Sequence, residues 1–398
     1  MFASILNVIA FKQKSRYDYP CDQYTRLFMP KLFFAASIIM TWNYFNDQIT
    51  CAISNDVKIS PDFIHSTCWI NGFFIYKEMH ERTKYSHFYG IPQDIDRDGL
   101  TKDGHLCSMK DRRGDGNPNC HTRMSKRYFL HYQWLPFYIC SLSVLYYIPY
   151  IFYKMVNKDI ISLVNNIRAQ QHGDKIARNY FNYRVNSKVK IHFIVTMNFF
   201  VKVGYVATNL IGFFLTNAIL EGRYYDYGYR WLQWNILPNK IAYDMKERDF
   251  PKPGNYLLPP VGICELLAAI RDNRGTHVND HKFVCEISQN VMYQYILLVV
   301  WYFLTAGIII SITSFVHLFS TYVRAVFWMH NPSNCRETMH GKIQSLLTLR
   351  EIEYLDIIKT TNMALYGDVL RELTKARPDL FALTKYFDNE SSYMARRV

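Results

Sequence analysis

Apolar and charged blocks alternate along this chain, and the apolar blocks set its architecture. The second of them, 128–156, reads YFLHYQWLPFYICSLSVLYYIPYIFYKMV and is uncharged from residue 132 to residue 153. A run of that length spans a bilayer as a helix, whereas a soluble core helix seldom needs it. Pro136 and Pro149 lie inside it, which membrane helices tolerate where neighbouring side chains satisfy the carbonyl that proline frees. Tyr132 and Trp134 mark one interface and Lys154 the other. Blocks 27–45, 191–220 and 292–320 have the same character. The pattern predicts an all-α polytopic membrane protein with four transmembrane helices. Lys202 lies well inside the third block, where a charge must face protein or water. Asn209 and Asn217 follow near its side of the helix, and the stripe faces a bundle interior, a subunit contact or a pore.

The segments between the blocks fix the expected orientation. Residues 157–190 carry seven lysines and arginines against Asp159 and Asp174, so this short loop is cytoplasmic. Both termini are then cytoplasmic, as residues 1–26 and the mixed-charge tail 321–398, and the loops 46–127 and 221–291 lie outside. The opening MFASILNVIAF precedes its basic residues, the reverse of a signal peptide, and is expected to be retained. In the tail, Ile343, Leu346, Leu347 and Leu349 recur at helical spacing between Pro332 and Pro378, which predicts a small helical assembly. Four spans are too few to enclose a wide pore, so conduction would need a ring of subunits.

The net charge of +13 raises nucleic acid as a partner, but the excess sits largely in one short loop and no nucleic-acid motif is present. The bilayer is the partner the pattern implies. No phosphate loop, dinucleotide glycine pattern, zinc-protease helix or serine elbow occurs, and no enzyme or cofactor chemistry is expected. Of nine cysteines, Cys21, Cys140 and Cys335 fall in spans or on the cytoplasmic side and the other six outside, where disulfides persist. Cys107 and Cys120 are close enough in sequence to pair with each other; the alternatives are free thiols, or zinc held with His105 and His121. Asp94, Asp96 and Asp98 alternate ahead of Gly99, the first half of a calcium loop, although His105 stands where the closing glutamate belongs. A weak calcium site and a solvated acidic turn are both consistent with that pattern.

The residues 132–136, Tyr-Gln-Trp-Leu-Pro, resemble the signature that opens the second span of innexins, the invertebrate gap-junction subunits. Asp22 and Arg26-Leu27 before the first span, Lys202, Tyr205, Asn209 and Asn217 in the third, and Trp301-Tyr302-Phe303 in the fourth are similar to the same family. The resemblance implies disulfides Cys51–Cys285 and Cys68–Cys264, tying the two outer loops together. Cys107, Cys120 and the region about 90–120 are extra to it. It also implies an N-terminal helix whose Met1, Phe2 and Ala3 narrow a pore mouth, and a homo- or hetero-oligomeric ring of eight subunits in the plasma membrane. That ring would dock with one on an adjacent cell and pass ions and small solutes; an undocked hemichannel or a four-span adhesion protein are the alternatives. Two positions depart from the family: Gln294-Tyr295 replaces its glutamate–lysine pair, and Ala52 replaces the tryptophan after Cys51.

Overall fold

The computed structural model describes residues 20–46, 49–53, 59–79, 86–109, 120–182, 186–243, 250–272, 275–330 and 347–376. The described chain is mostly helical. Three helical segments are long and apolar enough to cross a membrane: His131–Val156, Val189–Ile219 and Ser288–Arg324. The first apolar block forms α1, Met29–Asn46, which follows a turn at Pro20–Gln23 and a π-helical turn at Tyr24–Phe28. Pro30 has no N–H to bond the preceding turn, and the wider turn ahead of it takes up that mismatch.

The all-α class does not extend to the loops. Strands β1 (Thr50–Cys51), β2 (Phe73–Tyr76), β8 (Lys126–Phe129), β9 (Val261–Asp272) and β10 (Gly275–Glu286) form an antiparallel sheet in the order β1-β10-β9-β2-β8. Tyr128 and Phe129 therefore belong to a strand, paired with Phe74 and Phe73, and the second span's helix starts at His131. All of β2 is buried, so it lacks the polar alternation that betrays a strand in sequence. β2 and β9 approach closely at Gly262, where a Cβ would stand 1.7 Å from the Phe73 ring. Gly262→Ala should cost about 1–3 kcal/mol through overpacking, read as a lowered unfolding temperature of the purified protein; an unchanged temperature would contradict this packing.

Two compact units divide the described chain, and the divisions fall within the apolar helices. One contains Met29–Val144 and Ile211–Ala306. It holds the sheet, helix α2 (Pro61–Asn71), helix α3 (His131–Leu145) and a second, three-stranded sheet of β5 (Gly99–Thr101), β6 (Leu106–Cys107) and β7 (Cys120–Arg123). A short hairpin, β3 (Ser86–Phe88) with β4 (Ile91–Pro92), precedes it. The other unit contains Pro20–Phe28, Leu145–Leu210 and the described residues from Gly307 onward. Its apolar core gathers α5 (Lys158–Arg168), α6 (Gly173–Tyr180), α10 (Leu349–Thr361) and α11 (Met363–Ala376) around Leu163, Ile176, Ile358 and Val369. It also carries α4 (Ile148–Val156) and parts of the long helices α7 (Lys188–Ile219) and α9 (Ser288–His330). Between α7 and α9 in the chain lies α8 (Tyr227–Ile236), which belongs to the first unit.

Candidate functional site

Several polar residues of the apolar helices have specific partners. Lys202 on α7 makes an ion pair with Asp22 in which the two side chains are 4% and 3% exposed. Ser314 on α9 accepts a further bond from Lys202 Nζ at 3.3 Å and donates to Asp22 at 3.5 Å. A charge in such surroundings survives only with a partner and hydrogen bonds. Asn209 donates to Thr25 Oγ1 at 3.2 Å and to the Tyr205 carbonyl at 3.0 Å. Gly307 leaves room for its carbonyl oxygen, which a Cβ there would meet at 2.8 Å. Arg26, 2% exposed, stacks 4.0 Å over the Tyr150 ring. Beside the ion pair lies a cavity of about 360 Å³ lined by Cys21, Lys202, Ser314 and His317.

The third polar residue on α7 does something else. Asn217 accepts the backbone N–H groups of Tyr224 and Tyr225 at 3.1 and 2.8 Å, turning the chain after the helix. The shared stripe thus resolves into an ion pair, an interhelical amide and a loop cap. Sequence reading missed Asp22, Thr25 and Ser314 as partners. An intramembrane lysine demands a carboxylate, and Asp22, next to the first apolar block, was the signal available.

In the other unit, Tyr132 and Gln133 reach the C-terminal end of α2. Tyr132 Oη and Gln133 Nε2 both donate to the Trp69 carbonyl at 2.7 Å, and Gln133 also bonds the Ile70 carbonyl at 3.2 Å. Carbonyls at a helix end have no partner within the helix, and this pair supplies one. Tyr132 is fully buried among Trp69 and Phe73, while Trp134 packs beside His131 at the helix surface. The Pro136 carbonyl accepts a bond from Ser37 on α1 at 3.0 Å. Cys51 is bonded to Cys285 across the β1–β10 pair, and Cys68 on α2 to Cys264 on β9.

Cys107 is bonded to Cys120 within the three-stranded sheet, so neither is a thiolate for zinc. Asp94, Asp96 and Asp98 are not brought together around one point. Asp94 accepts the Asp96 N–H at 3.2 Å and pairs with Arg97 at 3.0 Å. Asp98 accepts the Met109 N–H at 2.8 Å and faces Arg123 at 3.6 Å. Met1, Phe2 and Ala3 lie outside the described residues.

A profile described as Innexin matches residues 21–377. The chain belongs to the innexin family. It is similar to Innexin-12 of Caenorhabditis elegans, with 22% identity over 217 residues, 48% of this chain and 48% of the relative. It is likewise similar to Innexin inx3 of Drosophila melanogaster, 22% identical over 282 residues, 68% of this chain and 60% of the relative. The chain thus spans between about half and three-fifths of the length of these curated relatives.

Where this innexin departs from the family pattern, the replacements are built in. Gln294 donates to the Leu258 carbonyl at 2.7 Å, and Tyr295 accepts Lys252 at 3.2 Å. The Ala52 N–H bonds Val284 at 2.8 Å and extends the β1–β10 pairing.

This innexin also carries a network that the sequence did not reveal. Arg350 on α10, fully buried, donates to both Asp159 oxygens at 3.0 and 2.8 Å, to Glu353 at 2.7 Å and to Asn157 Oδ1 at 2.7 Å. Asn157 passes the chain to Asn198 on α7 at 3.1 Å, and Asn198 to Tyr322 on α9 at 3.3 Å. Tyr354 donates to Asp159 as well. Burial alone would push the Asp159 carboxyl up; bonds and charge from Arg350, with Tyr354, outweigh it and hold the carboxyl below its ordinary value. A depressed carboxylate stabilises the fold above its unfolded value near 3.8 and loses that contribution as pH falls through the lower, folded value. The stability difference between wild type and Asp159→Asn should therefore stay constant from about pH 5 to 8 and shrink only under stronger acid. A difference that shrinks between pH 7 and about 5 would rule out this assignment.

Proposed function

We propose that this chain is the subunit of an innexin-type gap-junction channel passing ions and small solutes between adjacent cells. The observation that carries the reading is family membership over residues 21–377. The disulfide-bonded loops and the buried Lys202–Asp22 pair fit it, since a protein that only anchors in lipid has no need of a charge there. In this reading α1 is the fourth span beside the three longer apolar segments, both termini are cytoplasmic, and the disulfide-bonded loops 46–127 and 221–291 are extracellular. About eight copies form the ring, docked to a second ring on the neighbouring cell, with Met1, Phe2 and Ala3 near the mouth. Enzyme activity has no place in it.

A second reading is an undocked hemichannel opening to the outside. The observation favouring it is the three-stranded sheet closed by Cys107–Cys120, an element added to a loop that must otherwise meet its docking partner. Paired cells expressing the protein separate the two. Junctional current between pairs supports the gap-junction channel; membrane current in single cells without junctional current supports the hemichannel. Cell adhesion with neither current would sink both and leave a four-span adhesion protein.

A further inference from the structure

In the disulfide-bearing unit, α8 lies against the first turns of α9. Tyr227 Oη donates to the Gln294 carbonyl at 2.9 Å; Trp301 Nε1 bonds the Tyr225 carbonyl and Tyr302 Oη the Gly228 carbonyl, both at 3.2 Å. Gly228 permits this approach, because a Cβ there would stand 2.1 Å from the Trp301 ring. The contacted stretch, 294–302, lies toward one end of the Ser288–Arg324 apolar segment, among Tyr293, Tyr295, Trp301 and Tyr302. Tyrosine and tryptophan gather at the headgroup level of a bilayer. Along α8 and the turn before it, Tyr225, Tyr229, Leu232 and Ile236 are 63%, 58%, 51% and 84% exposed. Their spacing of four, three and four residues places them in one stripe.

That stripe runs into a cavity. Tyr229 and Ile236 line a space of about 830 Å³ whose other walls include Trp234, Phe250, Tyr256 and the Asp226–Arg230 pair. Arg230 Nε sits 2.7 Å from Asp226, and its guanidinium lies 4.5 Å over the Tyr256 ring. The pair is partly open, with Arg230 40% and Asp226 38% exposed, so both charges are accessible to a ligand.

We propose that this cavity binds the phosphocholine headgroup of a phospholipid whose acyl chains lie along the exposed α8 stripe. The Trp234 and Phe250 rings, set edge to face at 5.9 Å, together with the Asp226 carboxylate suit a quaternary ammonium. Arg230 suits the phosphate, which a guanidinium meets through paired N–H groups. The stripe then lies in the acyl region, as an interfacial helix does. A zwitterion complements both wall charges, whereas an anionic headgroup brings no positive charge to Asp226 and adds a negative one beside it. The space falls within the roughly 300–1,000 Å³ of ligand cavities. The proposal rests on reading the apolar helices as membrane spans, and not on conduction or docking.

The test uses the full-length protein purified in maltoside, with native mass spectrometry for retained lipid and unfolding temperature for its effect. Added dioleoylphosphatidylcholine should be retained and raise the unfolding temperature, and dioleoylphosphatidylglycerol should do neither. Free phosphocholine should give a smaller rise, which separates headgroup recognition from acyl burial. Arg230→Gln and Trp234→Leu should each cut retention by about tenfold, with the particle unchanged in size-exclusion chromatography. Equal retention of the two lipids, retention untouched by both variants, or no lipid held by the wild type because a neighbouring subunit fills the space would each overturn the proposal. None of those results alters paired-cell currents, so the channel reading stands or falls separately.

Discussion

Lys202→Met is expected to destabilise the protein by about 3–5 kcal/mol, because it leaves the Asp22 carboxylate buried without its counter-charge. Ser314 can donate one hydrogen bond to that carboxylate but cannot neutralise it. The loss exceeds what deleting the lysine's own contacts would produce, since most of it is the solvation Asp22 gives up without the lysine's charge in return. A second substitution therefore discriminates. Lys202→Met combined with Asp22→Leu removes both charges and should recover most of the stability, as apolar replacements of buried ion pairs generally do. Thermal unfolding in detergent and surface biotinylation report the two halves of the result. A single variant as stable as the wild type, or a double variant no better than the single, would mean that the pair does not hold these helices together.

Removing both cross-links that join the sheet should have the largest effect of all. Cys68–Cys264 closes a separation of 196 residues, which constrains the unfolded chain by about 5 kcal/mol. Cys51–Cys285 encloses it, at a separation of 234, so with the inner bond in place the outer one closes a ring of only 38 more residues. That second closure contributes about 4 kcal/mol. Either cysteine pair alone can thus be lost for about 4 kcal/mol, whereas losing both costs about 9 kcal/mol, comparable with the whole stability of a domain. We expect Cys51→Ser or Cys68→Ser to lower surface expression and the two together to abolish it. Cys107→Ser, which opens a separation of 13 residues inside the smaller sheet, should cost about 3 kcal/mol, slightly less than either of those single losses. Equal surface expression of the double variant and either single one would contradict the nested arrangement.

What could be read from sequence followed the strength of the local signal. The apolar helices were legible because hydrocarbon demands long uncharged runs, and the departures lie at their ends, as at Tyr128 and Phe129, where cross-strand pairing with β2 competes with helix. The sheet was not legible: β2 is apolar throughout, and β1 is two residues whose place depends on a partner more than two hundred positions away. Lys202, Asn209 and Asn217 announced themselves as misfits in an apolar run, yet periodicity gives a direction and not a partner. Arg350 gave no such warning, since in sequence it is one basic residue in a mixed-charge tail. Its burial follows from the packing of α10 against α5, a contact between segments nearly two hundred residues apart. In the 94–98 turn, Asp94 and Asp98 are engaged by neighbouring N–H groups and arginines, which the spacing of the aspartates alone does not show.

The bonds from Tyr132 and Gln133 to Trp69 and Ile70 bear on how relatives can be recombined. The acceptors are main-chain carbonyls, which any first loop supplies, and the donors sit in the segment that resembles the family's own. A first loop exchanged between members that share Tyr132 and Gln133 therefore keeps this cap wherever the cut falls near the start of α3. The seam then depends on two side chains of the apolar segment and not on the identity of the loop it receives.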